Sequence, residues 1–316
     1  MEYRKIIKFG NSSHVVSLPN EWLRRNKLNK GDTIYFEENG DSELTFTPKL
    51  TKNEREFKEI NINTKDKEIE RIRREIISAY LNDHNTIKIS GENVRKYEGE
   101  IKDAIRHLMA LEIIEQGNNF IIAKDFLDLQ SISIDTIIRK MDNILRSMMD
   151  DIINSDKNTN FLQISSRDFD VNRLMYLGVR ILRASLKDPN LGKSLKIASY
   201  ETFEYRSIIN NIERIADHAK RFAKYLDKIK KEDKENFAKI LAIYSKVVYT
   251  YENAMKSYYN KDIELAYSLS FNKKNIADEC TALYDKVYNK KNIPIILENL
   301  KDTISETHDI IRRVYS

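Results

Sequence analysis

The last 191 residues of this 316-residue chain contain only two glycines, Gly178 and Gly192, and two prolines, Pro189 and Pro294. The other six glycines and two prolines all lie before residue 126. Breakers that scarce leave room for long helices and for little else. From residue 131 onward apolar residues recur with a period close to 3.6. Ile134, Ile137, Ile138, Met141, Leu145, Met148 and Ile152 mark one face of a first helix. Val171, Leu174, Met175, Ile181 and Leu182 mark a second, stopped at Asp188-Pro189. The spacing predicts a long third helix over 191–229 and three more over 233–259, 262–289 and 294–315. Two successive trios, repeats at about 131–229 and 233–316, imply an internal duplication. Two tandem antiparallel three-helix bundles are the economical way to pack them.

The first 50 residues read differently. RKIIKF and HVVSL are short β-branched runs about a Gly-Asn-Ser-Ser turn, and Pro19 precedes NEWLRRNKL, a short helix that Asn20 can cap. GDTIYFEE and ELTFTP then alternate about Asn39-Gly40-Asp41, a hairpin signal. A β-β-α-β-β unit this short cannot bury a core by itself, so it is expected to pair with a second copy. Residues 51–64 are polar and strand-poor and read as a linker. They lead into an α-β-α-β-β stretch, a small sandwich or a degenerate winged helix. The expected fold class is multidomain and mainly α: a β head at 1–50, a linker and small α/β connector at 51–127, and a helical domain at 128–316.

Charge sharpens the picture of the head. Overall Lys+Arg exceeds Asp+Glu by 54 − 49 = +5, but residues 1–30 carry seven basic side chains against two acidic, and residues 31–50 one against five. One cysteine, Cys280, excludes an internal disulfide and a cysteine-built zinc cage, as expected of a reducing cytoplasm. It lies on an apolar helix face and reads as buried. The longest run without Asp, Glu, Lys or Arg is Phe9 to Asn20, short of the ~20 apolar residues a membrane helix needs, so no membrane insertion is expected. The opening residues, MEYRKIIKFG, place charges where a signal peptide needs an apolar stretch.

The string KFGNSSHVVSLPNEWLRRNKLNKGDTIYFEENGDSELTFTP resembles the SpoVT-AbrB family of transition-state regulators and antitoxins. That resemblance implies a swapped-hairpin β-barrel formed by a homodimer, which binds DNA through basic residues of its first strands and helix. Here those are Arg4, Lys5, Lys8, Arg24, Arg25 and Lys27. Independently of any family, six bases in a small dimerising unit make a patch suited to neutralising phosphates.

The C-terminal half resembles the PhoU family of phosphate-signalling proteins. The string Asn211-Ile-Glu-Arg-Ile-Ala-Asp-His-Ala219 matches that family's E/D-x-x-x-D signature. The resemblance implies a metal site at Glu213 and Asp217, completed by Asp168 or, failing that, Asp170, for an iron, zinc, magnesium or manganese ion. Carboxylates four apart share one helix face and can hold a hard or borderline cation, or simply pair with Arg214 and Arg221 as solvated charges. In the second repeat Asp309 aligns with Asp217, but Ser305 stands in place of Glu213. Glu306 and His308 lie off the signature spacing, so one competent metal site at most is expected.

No Gly-rich phosphate loop, His-x-x-x-His pair or Ser-His-Asp arrangement is legible, so no enzyme is expected. Tyr244, Tyr249, Tyr251, Tyr258 and Tyr259 recur at helical spacing and read as core and rim. Together the two resemblances imply a cytoplasmic, phosphate-responsive transcription regulator with DNA and phosphate-transporter or signalling proteins as partners. The alternative is an adaptor that restrains a phosphate transporter, its head serving only to dimerise. A metal-dependent hydrolase would need an open carboxylate cluster and a base that this sequence does not offer.

Overall fold

The computed structural model describes residues 3–39, 43–48, 57–154 and 161–315, and it divides into two compact units, 1–56 and 57–316. The first unit has the expected order. Strands β1 (Ile7–Phe9) and β2 (Ser13–Val15) form one antiparallel hairpin, helix α1 covers Asn20–Arg25, and β3 (Tyr35–Asn39) pairs with β4 (Glu43–Thr47) in another. Gly40 and Asp41 of the second hairpin's turn, and the linker residues 51–56, lie outside the described residues. Pro19, not Asn20, is the N-cap of α1, and Asn20 is already helical. The helix ends in a Schellman motif: Lys27 takes the left-handed conformation at φ 54°, Lys27 N–H donates to Arg24 O, and Leu28 N–H donates to Leu23 O.

The two hairpins of this unit are separate two-stranded sheets, and none of its described side chains is buried. Ile7, Phe9 and Phe36 are 59%, 69% and 66% exposed. Two isolated hairpins with their apolar side chains in water lack the burial that stabilises a sheet.

The second unit begins with a four-stranded sheet of order β5-β6-β8-β7. Its elements run β5 (Glu59–Asn63), α2 (Ile69–Leu81), β6 (Thr86–Ser90), α3 (Glu98–Arg106), β7 (Leu111–Gly117) and β8 (Phe120–Asp125). This is the sandwich alternative, with α2 and α3 packed on the sheet around Ile72, Ile76, Tyr80, Ile87, Ile89, Ile101 and Ile105. Residues 59–63, read from sequence as linker, are a strand parallel to β6. Ile62 is buried in it, and the short EININ alternation falls on a sheet edge where two apolar residues suffice.

The helices follow: α4 (Ile134–Ile153), α5 (Phe161–Lys187), α6 (Pro189–Ser194), α7 (Glu201–Glu232), α8 (Lys234–Asn260), α9 (Ile263–Leu269), α10 (Asn272–Val287) and α11 (Ile293–Tyr315). Helices α4, α5 and α7 pack on one another, as do α8, α10 and α11, and α7 lies against α11. One continuous apolar core runs through all of them. Each fully buried Leu, Ile or Val in it contributes about 1.5–3 kcal/mol, which is why the 3.6 period persists so long.

Two expected helices are interrupted. The stretch 191–229 is broken between α6 and α7. Lys196 adopts φ 55°, Ile197 N–H donates to Gly192 O and Lys196 N–H donates to Lys193 O, another Schellman stop with lysine where glycine is usual. The stretch 262–289 is broken between α9 and α10. The periodicity survives both breaks because the apolar faces on either side stay turned to the same core.

The connector is fastened to the helices by Arg180 of α5. Its side chain is fully buried and donates to Asp83 at 2.9 Å, after α2, and to Asp125 at the end of β8, while its guanidinium lies 4.4 Å from the Tyr80 ring centroid. Tyr80 in turn donates to Met109 O at 3.1 Å.

Candidate functional site

The residues of the expected acidic site lie on α5 and α7, whose close packing Gly178 permits: a Cβ there would stand 2.7 Å from Ile209 Cδ1. Asp168, buried on α5, faces α7. Glu213 and Asp217 stand one turn apart on α7, both partly buried. Asp170 is exposed.

Between Asp168 and Asp217 sits a side chain that sequence reasoning did not single out. Lys220 Nζ donates to Asp168 Oδ2 at 2.5 Å and to Asp217 Oδ1 at 2.9 Å, and Arg221 donates to Asp217 Oδ2 at 2.5 Å. The other oxygen of Asp168, Oδ1, is buried with no hydrogen-bond partner. Burial pushes the Asp168 carboxyl up, with Lys220 opposing it, and burial together with the neighbouring Asp217 and Asp168 charges pushes Glu213 up. Burial also acts to raise Asp217, but its bonds to Lys220 and Arg221 prevail and hold it below the usual carboxylate range. Burial opposes the Lys220 charge, yet the two carboxylates outweigh it and keep the ammonium protonated.

Asp168, Asp217 and Lys220 also line a cavity of about 670 Å³ between the connector helices and α5/α7, together with Arg73, Arg106 and His107. His107 packs edge-on to Phe169, ring centroids 4.1 Å apart.

The second repeat places its counterpart residues on α11. Ser305, standing where Glu213 does in the first, accepts from Lys273 of α10 at 3.0 Å. Asp309 accepts from Arg312. Arg214 and Glu306, at the same repeat position and 92 residues apart, hydrogen-bond each other at 3.0 Å. Equivalent positions that meet each other are what a two-fold relation between α7 and α11 produces.

As a metal centre the constellation does not fit. A lysine ammonium occupies the space between two of the carboxylates, and among the described residues no group of three or more His, Cys, Asp or Glu could hold a metal ion.

The six basic residues expected to contact DNA are all solvent-exposed: Arg4 and Lys5 ahead of β1, Lys8 within it, Arg24 and Arg25 in α1, and Lys27 just after. His14 is exposed and sits opposite Lys8 in the β1–β2 register. Cys280 is buried, and burial pushes its thiol up to about 11, which leaves it protonated and inert. Tyr244 and Tyr251 are buried, while Tyr249 is exposed. Tyr251 and Tyr259 both donate to the buried carboxylate of Asp142 on α4, at 2.8 and 3.0 Å, joining the two helical trios.

Residues 138–226 match the family model of the PhoU domain. The matched span runs from α4 to near the end of α7 and contains Asp168, Glu213, Asp217 and Lys220. The stretch from α4 to α7 is thus similar to the PhoU domain, and residues 1–137 and 227–316 lie outside the match. No curated protein and no solved structure matches the chain. No helix among the described residues is long and apolar enough to cross a membrane.

Proposed function

We propose that this chain is a phosphate-linked transcription regulator: a dimeric, SpoVT-AbrB-like head that binds DNA, carried on a PhoU-like body of two packed three-helix bundles that receives the signal. The observation that carries the reading is the composition of the head. It exposes its apolar strands and six bases, none of its described side chains is buried, and a second copy is the partner that completes such a unit. Pairing hairpins between two chains would bury Ile7, Phe9, Val15 and Phe36 and double the bases into one cationic surface suited to phosphate contacts and counterion release. The PhoU match supplies the link to phosphate regulation.

The coupling is one of linkage. A partner bound to the body that favours one spacing of the two heads shifts their affinity for DNA by its own differential affinity for that state. One observation favours the adaptor alternative, in which the head only dimerises: the five acidic side chains of residues 31–50, against one basic, would interrupt a positive face.

Binding of the full-length protein to promoter DNA, measured against salt, tests the reading. Affinity should fall steeply with salt, and replacing Arg24 and Arg25 by Ala should flatten the log–log slope by roughly one unit per lost phosphate contact in each protomer. No affinity above background at low salt would defeat the DNA-binding reading and leave the adaptor.

A further inference from the structure

The acidic site of the first repeat already contains a cation. Lys220 reaches back one turn to bond Asp217 and across to bond Asp168, two of the three carboxylates of the expected metal site. The second repeat repeats the device. The 92-residue offset that pairs Arg214 with Glu306 carries Asp217 onto Asp309 and Lys220 onto Arg312, and Arg312 bonds Asp309 as Lys220 bonds Asp217, three residues on. Arg221 likewise falls on Arg313. Where Glu213 is replaced by Ser305, a further ammonium, Lys273, reaches in from α10. Both halves of the duplication thus place a covalently attached positive charge against their signature aspartate.

We propose that Lys220 is the permanent counter-cation of the Asp168–Asp217 site and that the PhoU-like body takes up no metal ion there. The argument is electrostatic. Two partly desolvated carboxylates facing each other need a positive charge between them, and a tethered ammonium supplies it at an effective concentration that a free ion cannot match. A divalent ion would have to expel Lys220 from two charge-assisted hydrogen bonds and leave its ammonium beside the ion that displaced it. The signal that reaches this body is therefore something other than metal occupancy. The inference concerns the helical body alone and stands whether or not the head binds DNA.

Thermal unfolding of the full-length protein and of K220M and K220R tests it, each in chelator and in 1 mM MnCl2, with metal content measured after desalting. The wild type is expected to carry no stoichiometric metal and to melt at the same temperature in both buffers. K220R, which keeps the charge, should melt close to the wild type. K220M, which keeps the stem and loses the charge, should melt several degrees lower in chelator and recover part of the loss in MnCl2, as the ion fills the vacated place. A wild type that retains metal or is stabilised by Mn2+ overturns the proposal. So does a K220M protein that melts like the wild type in chelator, or one that is destabilised and gains nothing from Mn2+.

Discussion

Arg180 illustrates how much a single side chain decides here. It is buried in an apolar helix face between Leu177 and Ile181, and its guanidinium is held by two carboxylates and an aromatic ring contributed by the connector. Removing one partner of a buried ion pair strands the others, at a cost of about 3–5 kcal/mol. R180A should therefore lower the unfolding free energy of the full-length protein by about that much in urea titrations, and a loss under about 1 kcal/mol would show that the connector is held by other contacts. An arginine inside an apolar 3.6 period is a readable signal of a buried partner. The partners themselves, 97 and 55 residues away, are not readable, because sequence spacing says nothing about contacts between distant elements. Lys220 was hidden differently: a lysine three residues after an aspartate on a helix is ordinary surface chemistry until α5 is seen to bring Asp168 against it.

At the scale of elements, the one cap read from sequence, Asn20, is already helical, and the aspartates that do cap helices were not singled out. Asp188 and Asp262 cap α6 and α9, and Asp233 caps α8. Asp233 accepts from Lys290 Nζ at 2.7 Å and from both the side chain and backbone of Asn236, bonds that hold its carboxyl down to about 2. A carboxylate whose folded pKa is depressed stabilises the fold above its unfolded pKa, near 3.8, and that contribution is lost as the pH falls through the folded value. D233A should cost about 1 kcal/mol at pH 7, the usual worth of a cap, and the difference from wild type should shrink as the pH falls from about 4 to about 2. Denaturant titrations at the two ends of that range measure it, and a gap that persists at the acid end would contradict the assignment.

Gly91, directly after β6, was not singled out from the sequence. It sits at φ 125°, with space for a Cβ only 2.7 Å from Thr64 Oγ1, because Thr64 N–H bonds Ser90 O beside it. G91A should destabilise by about 1–3 kcal/mol in the same assay, through strain and the clash together, and a neutral result would mean the β5 end gives way freely. Strand β5 escaped sequence reasoning for a related reason: five residues with two isoleucines look like linker unless their parallel partner, 27 residues on, is known.

For the molecule as a whole, what could be read from sequence was the material that repeats. The long period and the near absence of glycine and proline made the helical body visible, and the PhoU match to residues 138–226 supports its α4–α7 part. The breaks at Lys196 and between α9 and α10 were not visible, since the apolar face continues across them. The joining of connector and helices into one compact unit, to which Arg180 and the α2–α5 packing contribute, could not be read at all.

The head poses the opposite problem. Its strand order was plain, but a strand order does not say what covers Ile7, Phe9 and Phe36, and within one chain nothing described buries them. The mass of the protein in solution tests this most directly, by light scattering on the full-length chain and on residues 57–316. We predict twice the mass of one chain for the full-length protein at micromolar concentration, falling to a single chain once the head is removed. A full-length protein that runs as a monomer with its N-terminal strands protected from hydrogen exchange would contradict the account.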